Sequence, residues 1–272
     1  MSLEETKQLL RTYRITPNKL LGQNFMVEPS LYNKLCTYAS LNKSDVVLDV
    51  GAGFGFLSRY LANMCKTVIA VERDIRIVEV LHDQVKDISN LIVVEGDALK
   101  TTLPEFNKVI AIPPYYMSSH LITWLLERRI ECAIMIIQKE FANRLVATVG
   151  TEDYGWITVL TKQHAEIELL DEVPKEMFYP QPEVDSRIIR LWFWSKKSFE
   201  VKDPLFFKQL VKWLFTQRNK KLSKSLLPFL KSNMRLSKQD AEKIALDYPL
   251  RDKRARELRP EDFGDLANAI SK

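Results

Sequence analysis

The chain has 272 residues, of which 46% are hydrophobic and 28% charged, and its formal net charge is +5. With only 8 glycines and 12 prolines, this composition excludes collagen-like and low-complexity chains and is typical of a globular protein. The longest apolar run, residues 132–137, is far shorter than the roughly 20 residues of a membrane span, and the first residues lack the apolar core of a signal peptide. We therefore expect a cytoplasmic protein with no membrane partner.

Cysteine and histidine are too sparse for a metal site, so none is predicted. The three cysteines form no CxxC pair, which argues against a disulfide framework and a zinc site and suits a reducing compartment. The three histidines fall outside every motif and are interpreted as structural or surface residues. These residues are Cys36, Cys65, Cys132, His82, His120 and His164.

Between residues 46 and 191 the chain alternates apolar runs with amphipathic stretches. The runs are continuous, which is typical of strands buried on both faces of a parallel sheet flanked by helices. Two later runs, 157–160 and 188–193, are expected to extend this sheet in antiparallel orientation. The predicted parallel strands are 46–48, 68–71, 91–94, 109–112 and 133–137, and the predicted helices are 28–40, 55–64, 74–86, 118–129 and 139–148.

The composition changes near residue 195, where a polar segment closed by proline is interpreted as a linker. Residues 195–260 carry 18 lysines and arginines against 7 aspartates and glutamates, a net charge of +11. This excess favours a polyanionic partner, most simply nucleic acid, although solvated helix faces would give the same composition. We predict an α/β domain over 1–194 and a small, basic, all-helical RNA-binding domain over 195–272. Its predicted helices are 205–215, 220–230, 238–247 and 259–270.

Three glycines, Gly51, Gly53 and Gly55, follow the first predicted strand and open a helix. Glycine lets the backbone approach a ligand closely, and the helix that follows presents unpaired N–H groups. A dinucleotide site requires the spacing G-x-G-x-x-G, whereas Phe56 occupies the position of the third glycine here. The spacing therefore favours a ligand without pyrophosphate, such as S-adenosylmethionine.

Two acidic residues follow the next two predicted strands. Glu72 ends the second strand, 21 residues after Gly51, where a carboxylate can bind both hydroxyls of a ribose. Asp97 follows the third strand, where it can accept a hydrogen bond from an adenine amino group. Either acid alone is more often a surface or capping residue, but a glycine loop and two acids in this order favour nucleoside binding.

The fourth predicted strand ends in Ile112, Pro113, Pro114 and Tyr115, at the sheet edge where such folds bind ligands. The proline pair stiffens the turn and leaves carbonyl groups free to accept hydrogen bonds, while tyrosine offers a stacking surface for a base. The alternative is a proline-bounded strand end with a core aromatic residue. The segment resembles the Asp/Asn-Pro-Pro-Tyr/Phe motif of amino-group methyltransferases, with Ile112 in the first position.

Five further segments resemble, in the same order, motifs of the small-subunit ribosomal RNA adenine dimethyltransferase family. The resemblance runs over essentially the whole chain. Each segment alone is weak, but five in sequence beside the glycine loop are highly specific. The segments are 19–26 (KLLGQNFM), 138–145 (QKEFANRL), 153–155 (DYG), 178–186 (FYPQPEVDS) and 215–221 (FTQRNKK).

The resemblance implies a Rossmann-like class I methyltransferase domain with a mostly parallel seven-stranded sheet and with S-adenosylmethionine as cofactor. It implies transfer of methyl groups to two adjacent adenosines near the 3′ end of small-subunit rRNA, in the immature small ribosomal subunit, with Tyr115 and Phe178 on either side of the target adenine. We expect a monomer. The implied catalytic residues are Ile112, Pro113, Pro114, Tyr115 and Phe178; the implied cofactor residues are Gln23, Asn24, Met26, Gly51, Gly53, Glu72, Asp97 and Ile112; the expected RNA contacts are Arg218, Lys220, Lys221 and Lys224.

Ile112 departs from the motif, because the usual Asn or Asp supplies a side-chain acceptor for the adenine amino group. Isoleucine leaves only backbone carbonyl groups, those of Ile112 and Pro113. Three hypotheses follow. Methyl transfer is slow, or Tyr116 or Asn24 supplies the missing acceptor, or the protein is a ribosome assembly factor without catalysis. We favour retained activity. A nicotinamide-dependent oxidoreductase is disfavoured by the glycine spacing and the basic segment, and a small-molecule methyltransferase leaves that segment unexplained.

Overall fold

The computed structural model describes residues 2–271. The α-helices are α1 Leu3–Thr12, α2 Ser30–Tyr38, α3 Phe56–Ala62, α4 Ile75–Val85, α5 Ser118–Leu125, α6 Lys139–Leu145, α7 Trp156–His164, α8 Pro204–Thr216, α9 Leu222–Asn233, α10 Lys238–Asp247 and α11 Pro260–Ile270. The strands are β1 Phe25–Met26, β2 Val46–Val50, β3 Thr67–Glu72, β4 Leu91–Glu95, β5 Lys108–Ala111, β6 Cys132–Gln138, β7 Ala165–Val173, β8 Phe178–Tyr179 and β9 Ser186–Phe193. Within residues 2–271, none of the helices combines the length and the apolar character that a membrane span requires.

The main sheet has the strand order β4-β3-β2-β5-β6-β9-β7 among the described residues. The pairs β3–β4, β2–β3, β2–β5 and β5–β6 are parallel, and β9 pairs antiparallel with β6. The mostly parallel seven-stranded sheet is therefore confirmed. The direction of strand succession reverses between β2 and β5, which places a crevice for a ligand at their carboxyl ends.

The central strands are buried on both faces, as their continuous apolar runs predict. Val47, Leu48, Val68, Ile69 and Ile110 are all fully buried. Such strands are stabilised by helices on each side of the sheet, because apolar residues point alternately to the two faces. The sheet thus forms a rigid base for the loops at its carboxyl edge.

Two stretches of the chain differ in secondary structure from the sequence prediction. Residues 157–160 form part of helix α7 and not a strand, so that prediction was wrong. Their β-branched side chains favour strands only weakly, and Gly155 caps a helix in which Ile157, Val159 and Leu160 are buried. The sheet instead gains β7, which lies at the edge of the sheet and whose sequence AEIELLDEV is rich in acidic residues.

The chain divides into two compact units. The first comprises Met1–Ala142 and Glu166–Phe193, and the second comprises Asn143–Ala165 and Trp194–Lys272. Contacts inside the second unit explain why it includes a segment that precedes residue 194. The buried Tyr154 hydroxyl donates to the carbonyl of Leu258 at 2.8 Å, and the Gly150 amide donates to the carbonyl of Arg256 at 2.8 Å.

A buried ion pair joins the amino-terminal ends of β2 and β5. The Lys108 Nζ lies 2.9 Å from Oδ2 of Asp45, and both side chains are almost fully buried. Lys108 also donates to the carbonyl of Ser40, and Asn107 and the Asn42 amide donate to Asp45. Burial alone would raise the pKa of Asp45, but the hydrogen bonds from Lys108, Asn107 and Asn42 outweigh it and hold this pKa below its usual value.

Replacing Asp45 with Asn is expected to lower the free energy of unfolding by about 3 kcal/mol, because it leaves the Lys108 charge buried without a counter-charge. Since the folded-state pKa of Asp45 is lowered, its stabilising effect is present above the unfolded pKa and is lost as the pH falls through the folded pKa. Urea unfolding of wild type and of Asp45→Asn at neutral and at acidic pH measures the difference in the free energy of unfolding. Glu4→Gln, which removes an exposed pair with Lys7, should change stability by less than about 1 kcal/mol. An equal effect of the two substitutions would contradict the expectation.

Candidate active site

A cavity of about 290 Å³ lies at the carboxyl ends of β2, β3, β4 and β5, inside the first unit. Each strand contributes the residues that follow it, and the segment before β1 and one residue of β8 complete the wall. The lining residues are Leu21, Gly22, Gln23, Asn24, Phe25, Val50, Gly51, Gly53, Val71, Glu72, Arg73, Gly96, Asp97, Ala98, Leu99, Ile112, Pro113, Pro114, Tyr115, Tyr116, Met117, His120 and Phe178.

The residues that the sequence predicts for cofactor and adenine binding line this cavity, with one exception. Met26 is buried and lies on the wall of an adjoining cavity of about 60 Å³, together with Asn24, Gly51, Gly53 and Ile112. The structure thus brings together segments far apart in sequence. Which of these residues contact a ligand stays a prediction.

The Glu72 carboxylate organises the glycine loop. Its Oε2 accepts a hydrogen bond from the Gly53 amide at 3.0 Å, and its Oε1 accepts from the Arg73 and Asp74 amides at 2.7 and 2.9 Å. Burial raises the pKa of Glu72 above its usual value, against the lowering effect of these three bonds. Gly51 has φ +76°, and a Cβ there would lie 2.9 Å from Cδ of Pro114, so only glycine allows this approach of the two loops.

The second acidic residue, Asp97, is positioned by the turn that follows β4. Its Oδ1 accepts a hydrogen bond from the Leu99 amide at 3.0 Å. Its Oδ2 has no hydrogen-bond partner among residues 2–271 and belongs to a side chain on the cavity wall. A carboxylate oxygen of this kind can accept a hydrogen bond from a purine amino group.

Gln23 holds the segment before β1 in place. Its Oε1 accepts from the Asn18 amide at 2.7 Å, and its Nε2 donates to Oδ2 of Asp74 at 2.8 Å. Asp74 in turn accepts from the Arg76 amide at the start of α4. The Gln23 amide therefore ties one wall of the cavity to the end of β3. The neighbouring Asn24 donates from Nδ2 to the carbonyl of Gly22 at 3.2 Å.

The acceptor segment after β5 offers backbone oxygens and aromatic rings. Within the described part of the chain, the carbonyls of Ile112 and Pro113 accept no hydrogen bond, whereas that of Pro114 accepts from the Met117 amide. The Ile112 side chain packs against a buried apolar cluster and supplies no acceptor. Tyr115 and the buried Phe178 both line the cavity. This combination suits a flat heterocycle that carries N–H donors.

Sequence reasoning missed His120, which it interpreted as structural or surface. The residue lies in the first turn of α5 and lines the cavity beside Met117. Its distance of five residues from Tyr115 could have indicated this, because the helix that follows an acceptor loop begins at the same sheet edge. No cluster of three or more His, Cys, Asp or Glu side chains suited to a metal ion occurs between residues 2 and 271.

Asp49 is a fully buried acid just before the glycine loop. Its Oδ2 accepts a hydrogen bond from Oγ of Ser58 at 2.6 Å, and its side chain lines the smaller cavity. Burial and, to a smaller extent, the nearby Glu72 charge raise the pKa of Asp49 to about 7, against the lowering effect of the hydrogen bond from Ser58. The folded protein therefore favours the neutral acid at this position.

Replacing Asp49 with Asn is expected to stabilise the ligand-free protein more at pH 8 than at pH 5, by roughly 2–3 kcal/mol. The folded pKa lies above the unfolded one, so the stabilising effect of this carboxyl is complete below about pH 4 and is lost as the pH rises to 7. Denaturant unfolding at the two pH values measures it, with the exposed Asp87→Asn as control. A stability difference between wild type and Asp49→Asn that does not change with pH would contradict this.

The parallel sheet, the glycine loop, the strand-end acids and the acceptor segment together define a methyltransferase of class I fold. A family profile described as ribosomal RNA adenine dimethylase matches residues 15–271. The chain therefore belongs to the ribosomal RNA adenine dimethylase family, which confirms the predicted family and its enzymatic nature. This membership implies the use of S-adenosylmethionine, and the free Oδ2 of Asp97 and the carboxylate of Glu72 on the cavity wall fit that cofactor.

Similar proteins agree with this assignment. The probable ribosomal RNA small subunit methyltransferase A of Methanosarcina acetivorans is 37% identical over 266 residues, which cover 97% of each chain. The ribosomal RNA small subunit methyltransferase A of a Geobacillus species is 33% identical, over 97% of this chain and 95% of its own. A crystal structure of a dimethyladenosine transferase from Plasmodium falciparum superimposes with a TM-score of 0.73 at 27% identity, over 88% of this chain and 94% of its own.

Proposed function

We propose that this protein transfers methyl groups from S-adenosylmethionine to the N6 amino groups of two adjacent adenosines near the 3′ end of small-subunit rRNA. The immature small ribosomal subunit is the substrate, the enzyme is a monomer and the reaction takes place in the cytoplasm. The observation that carries this proposal is one cavity lined by the two strand-end acids, by the acceptor segment with Tyr115, and by Phe178.

The cofactor supplies an activated methyl group on a sulfonium, so the chain needs no covalent intermediate. Its residues orient the base and exclude water. Tyr115 and Phe178 stack on the two faces of the target adenine. The carbonyl oxygens of Ile112 and Pro113 hold the two N6 hydrogens, which makes the nitrogen lone pair more available for attack.

The second candidate is an RNA-binding assembly factor without catalysis. Ile112 favours it, because one preorganised acceptor of the reaction is absent. Both candidates require binding to the immature subunit. Only the enzyme leaves methylated adenosines in the product.

Two basic segments of the second unit lie side by side. The Leu222 amide donates to the carbonyl of Lys253 at 2.7 Å, and the Ser223 amide donates to the carbonyl of Arg251 at 3.0 Å. These backbone bonds join residues 218–224 to residues 251–254 in one cationic surface. We infer that this surface contacts RNA phosphates.

The four predicted RNA contacts differ in how free their side chains are. Arg218 donates to the carbonyls of Thr151 and Glu152, and so holds a loop of its own unit. Lys220 donates to the Gln217 side chain, and Lys221 pairs with Asp252. The side chains of Lys224 and Lys253 are exposed and have no partner within the described residues. Lys224 and Lys253 are therefore the best candidates for direct phosphate contacts.

Replacing both free lysines with alanine, Lys224→Ala with Lys253→Ala, is expected to weaken subunit binding. The slope of the logarithm of the binding constant against the logarithm of the salt concentration should become shallower by about 2. Filter binding to immature subunits over a salt series measures the slope. The double arginine variant keeps the charges and should bind as wild type. An unchanged slope in the alanine variant would remove these residues from the RNA contact.

The proposed function is tested by incubating wild type with immature small subunits and S-adenosylmethionine that carries a labelled methyl group. Mass spectrometry of the digested rRNA identifies the product. Dimethyladenosine at adjacent positions near the 3′ end supports the proposal. Tight subunit binding without any methylated adenosine would overturn it and leave the assembly factor.

A further inference from the structure

A hydrogen bond behind the cavity wall joins Tyr115 to Ser186. The Tyr115 Oη and the Ser186 Oγ lie 2.6 Å apart, although the residues are 71 positions apart in sequence. Ser186 is fully buried and is not on the cavity wall, whereas Tyr115 is. The bond therefore holds the cavity-lining Tyr115 from a residue that does not itself line the cavity.

The anchor for this bond is rigid. Ser186 is the first residue of β9, where it pairs with Gln138 in the antiparallel ladder with β6. The preceding residue, Asp185, accepts hydrogen bonds from the Lys139 amide through its carbonyl and from the Lys175 amide through Oδ1. The backbone around Ser186 is thus fixed on both sides. Tyr115, in contrast, lies in a short 3₁₀ turn over Tyr115–Met117 between β5 and α5.

A tyrosine ring turns about two side-chain bonds, and its hydroxyl is the atom farthest from the backbone. That hydroxyl lies on the axis of the second of these bonds, so a hydrogen bond to it fixes the direction in which the long axis of the ring points, and thereby the place of the ring in the cavity. Burial raises the pKa of Tyr115, so the phenol remains protonated. The ring face is the part of this residue that a stacked base would contact.

We propose that Ser186 is a positioning residue for methyl transfer, which holds the long axis of the Tyr115 ring in the direction that aligns the target adenine with the methyl group. The proposal rests on the proposed function, because it assigns Tyr115 to the target base. Small errors in such alignment have large effects on rate, up to about a hundredfold for a displacement of 1 Å. Binding of the cofactor does not involve this bond.

A double-mutant cycle tests the proposal. Ser186→Ala and Tyr115→Phe each remove one end of the bond, and each is expected to lower kcat about tenfold with the KM for S-adenosylmethionine unchanged. The double variant should be no slower than either single variant, because both remove the same interaction. Ser118→Ala is the matched control: it deletes another buried hydroxyl near the acceptor segment, one that has no hydrogen-bond partner among residues 2–271.

A second measurement does not depend on catalysis. A short small-subunit RNA with 2-aminopurine at the target adenosine is titrated with each protein, and quenching of its fluorescence reports stacking. Ser186→Ala and Tyr115→Phe should quench less than wild type and Ser118→Ala equally well. Additive losses in kcat, or wild-type quenching by Ser186→Ala, would overturn the positioning role. If wild type quenches the probe but transfers no methyl group, the proposed function fails while the quenching series still decides the role of Ser186.

Discussion

Replacing Ile112 with asparagine is expected to raise the rate of methyl transfer about a hundredfold. The substitution restores a side-chain acceptor beside the free carbonyls of Ile112 and Pro113, and one preorganised group of this kind contributes on the order of 3 kcal/mol to the transition state. Single-turnover transfer to immature small subunits measures it.

Ile112→Val is the control, since it changes the shape of the same position without adding an acceptor. It should leave the rate within a few-fold of wild type. If wild type already produces dimethyladenosine at the rate of Ile112→Asn, the backbone carbonyls suffice and the side-chain acceptor is dispensable. If only Ile112→Asn incorporates methyl groups while both proteins bind the subunit, the natural protein acts as an assembly factor.

Replacing Glu72 with glutamine is expected to weaken S-adenosylmethionine binding by about 10² to 10³. Two hydrogen bonds from ribose hydroxyls to a carboxylate are weakened, each worth about 1.5–3 kcal/mol when the acceptor is charged. The loop amides of Gly53, Arg73 and Asp74 also lose a charged acceptor. Isothermal titration with S-adenosylmethionine measures the affinity.

Glu95→Gln provides a matched control for this substitution. Glu95 is opposite Glu72 in the β3–β4 ladder but is exposed and absent from the cavity wall, so the affinity should not change. Because burial raises the pKa of Glu72, wild-type affinity should fall as the pH is lowered, and the affinity of Glu72→Gln should not follow it. Equal affinities of the two variants would exclude Glu72 from the cofactor site.

The parts of the fold that follow from local pattern were predicted well. The five continuous apolar runs are strands β2 to β6, and helices α8 to α11 match the predicted ones to within three residues at each end. The acid-rich β7 was missed and residues 157–160 were misassigned, because in both segments the intrinsic preference for strand or helix is weak and packing decides the secondary structure.

The candidate site was predictable where its residues follow strand ends, as Glu72, Asp97 and Tyr115 do. Parallel strands bring their carboxyl ends to one edge, so the order of motifs already implies a common cavity. Ser186 carried no such signal as a positioning residue, since its contact with Tyr115 depends on how β9 is placed against the acceptor segment. The side-chain hydrogen bonds of Gln23 and Arg218 likewise depend on tertiary structure, and no local sequence pattern predicts them.

The discontinuous second unit has a consequence for the order in which the protein folds during synthesis. Its first segment, Asn143–Ala165, emerges before Glu166–Phe193, and the remaining helices emerge last. Helix α7 packs with α8 and α11, so these contacts of α7 cannot form until translation is nearly complete. The nascent chain therefore passes through a stage with a finished sheet and an uncovered apolar helix, and a gene truncated after residue 194 would retain that stage permanently.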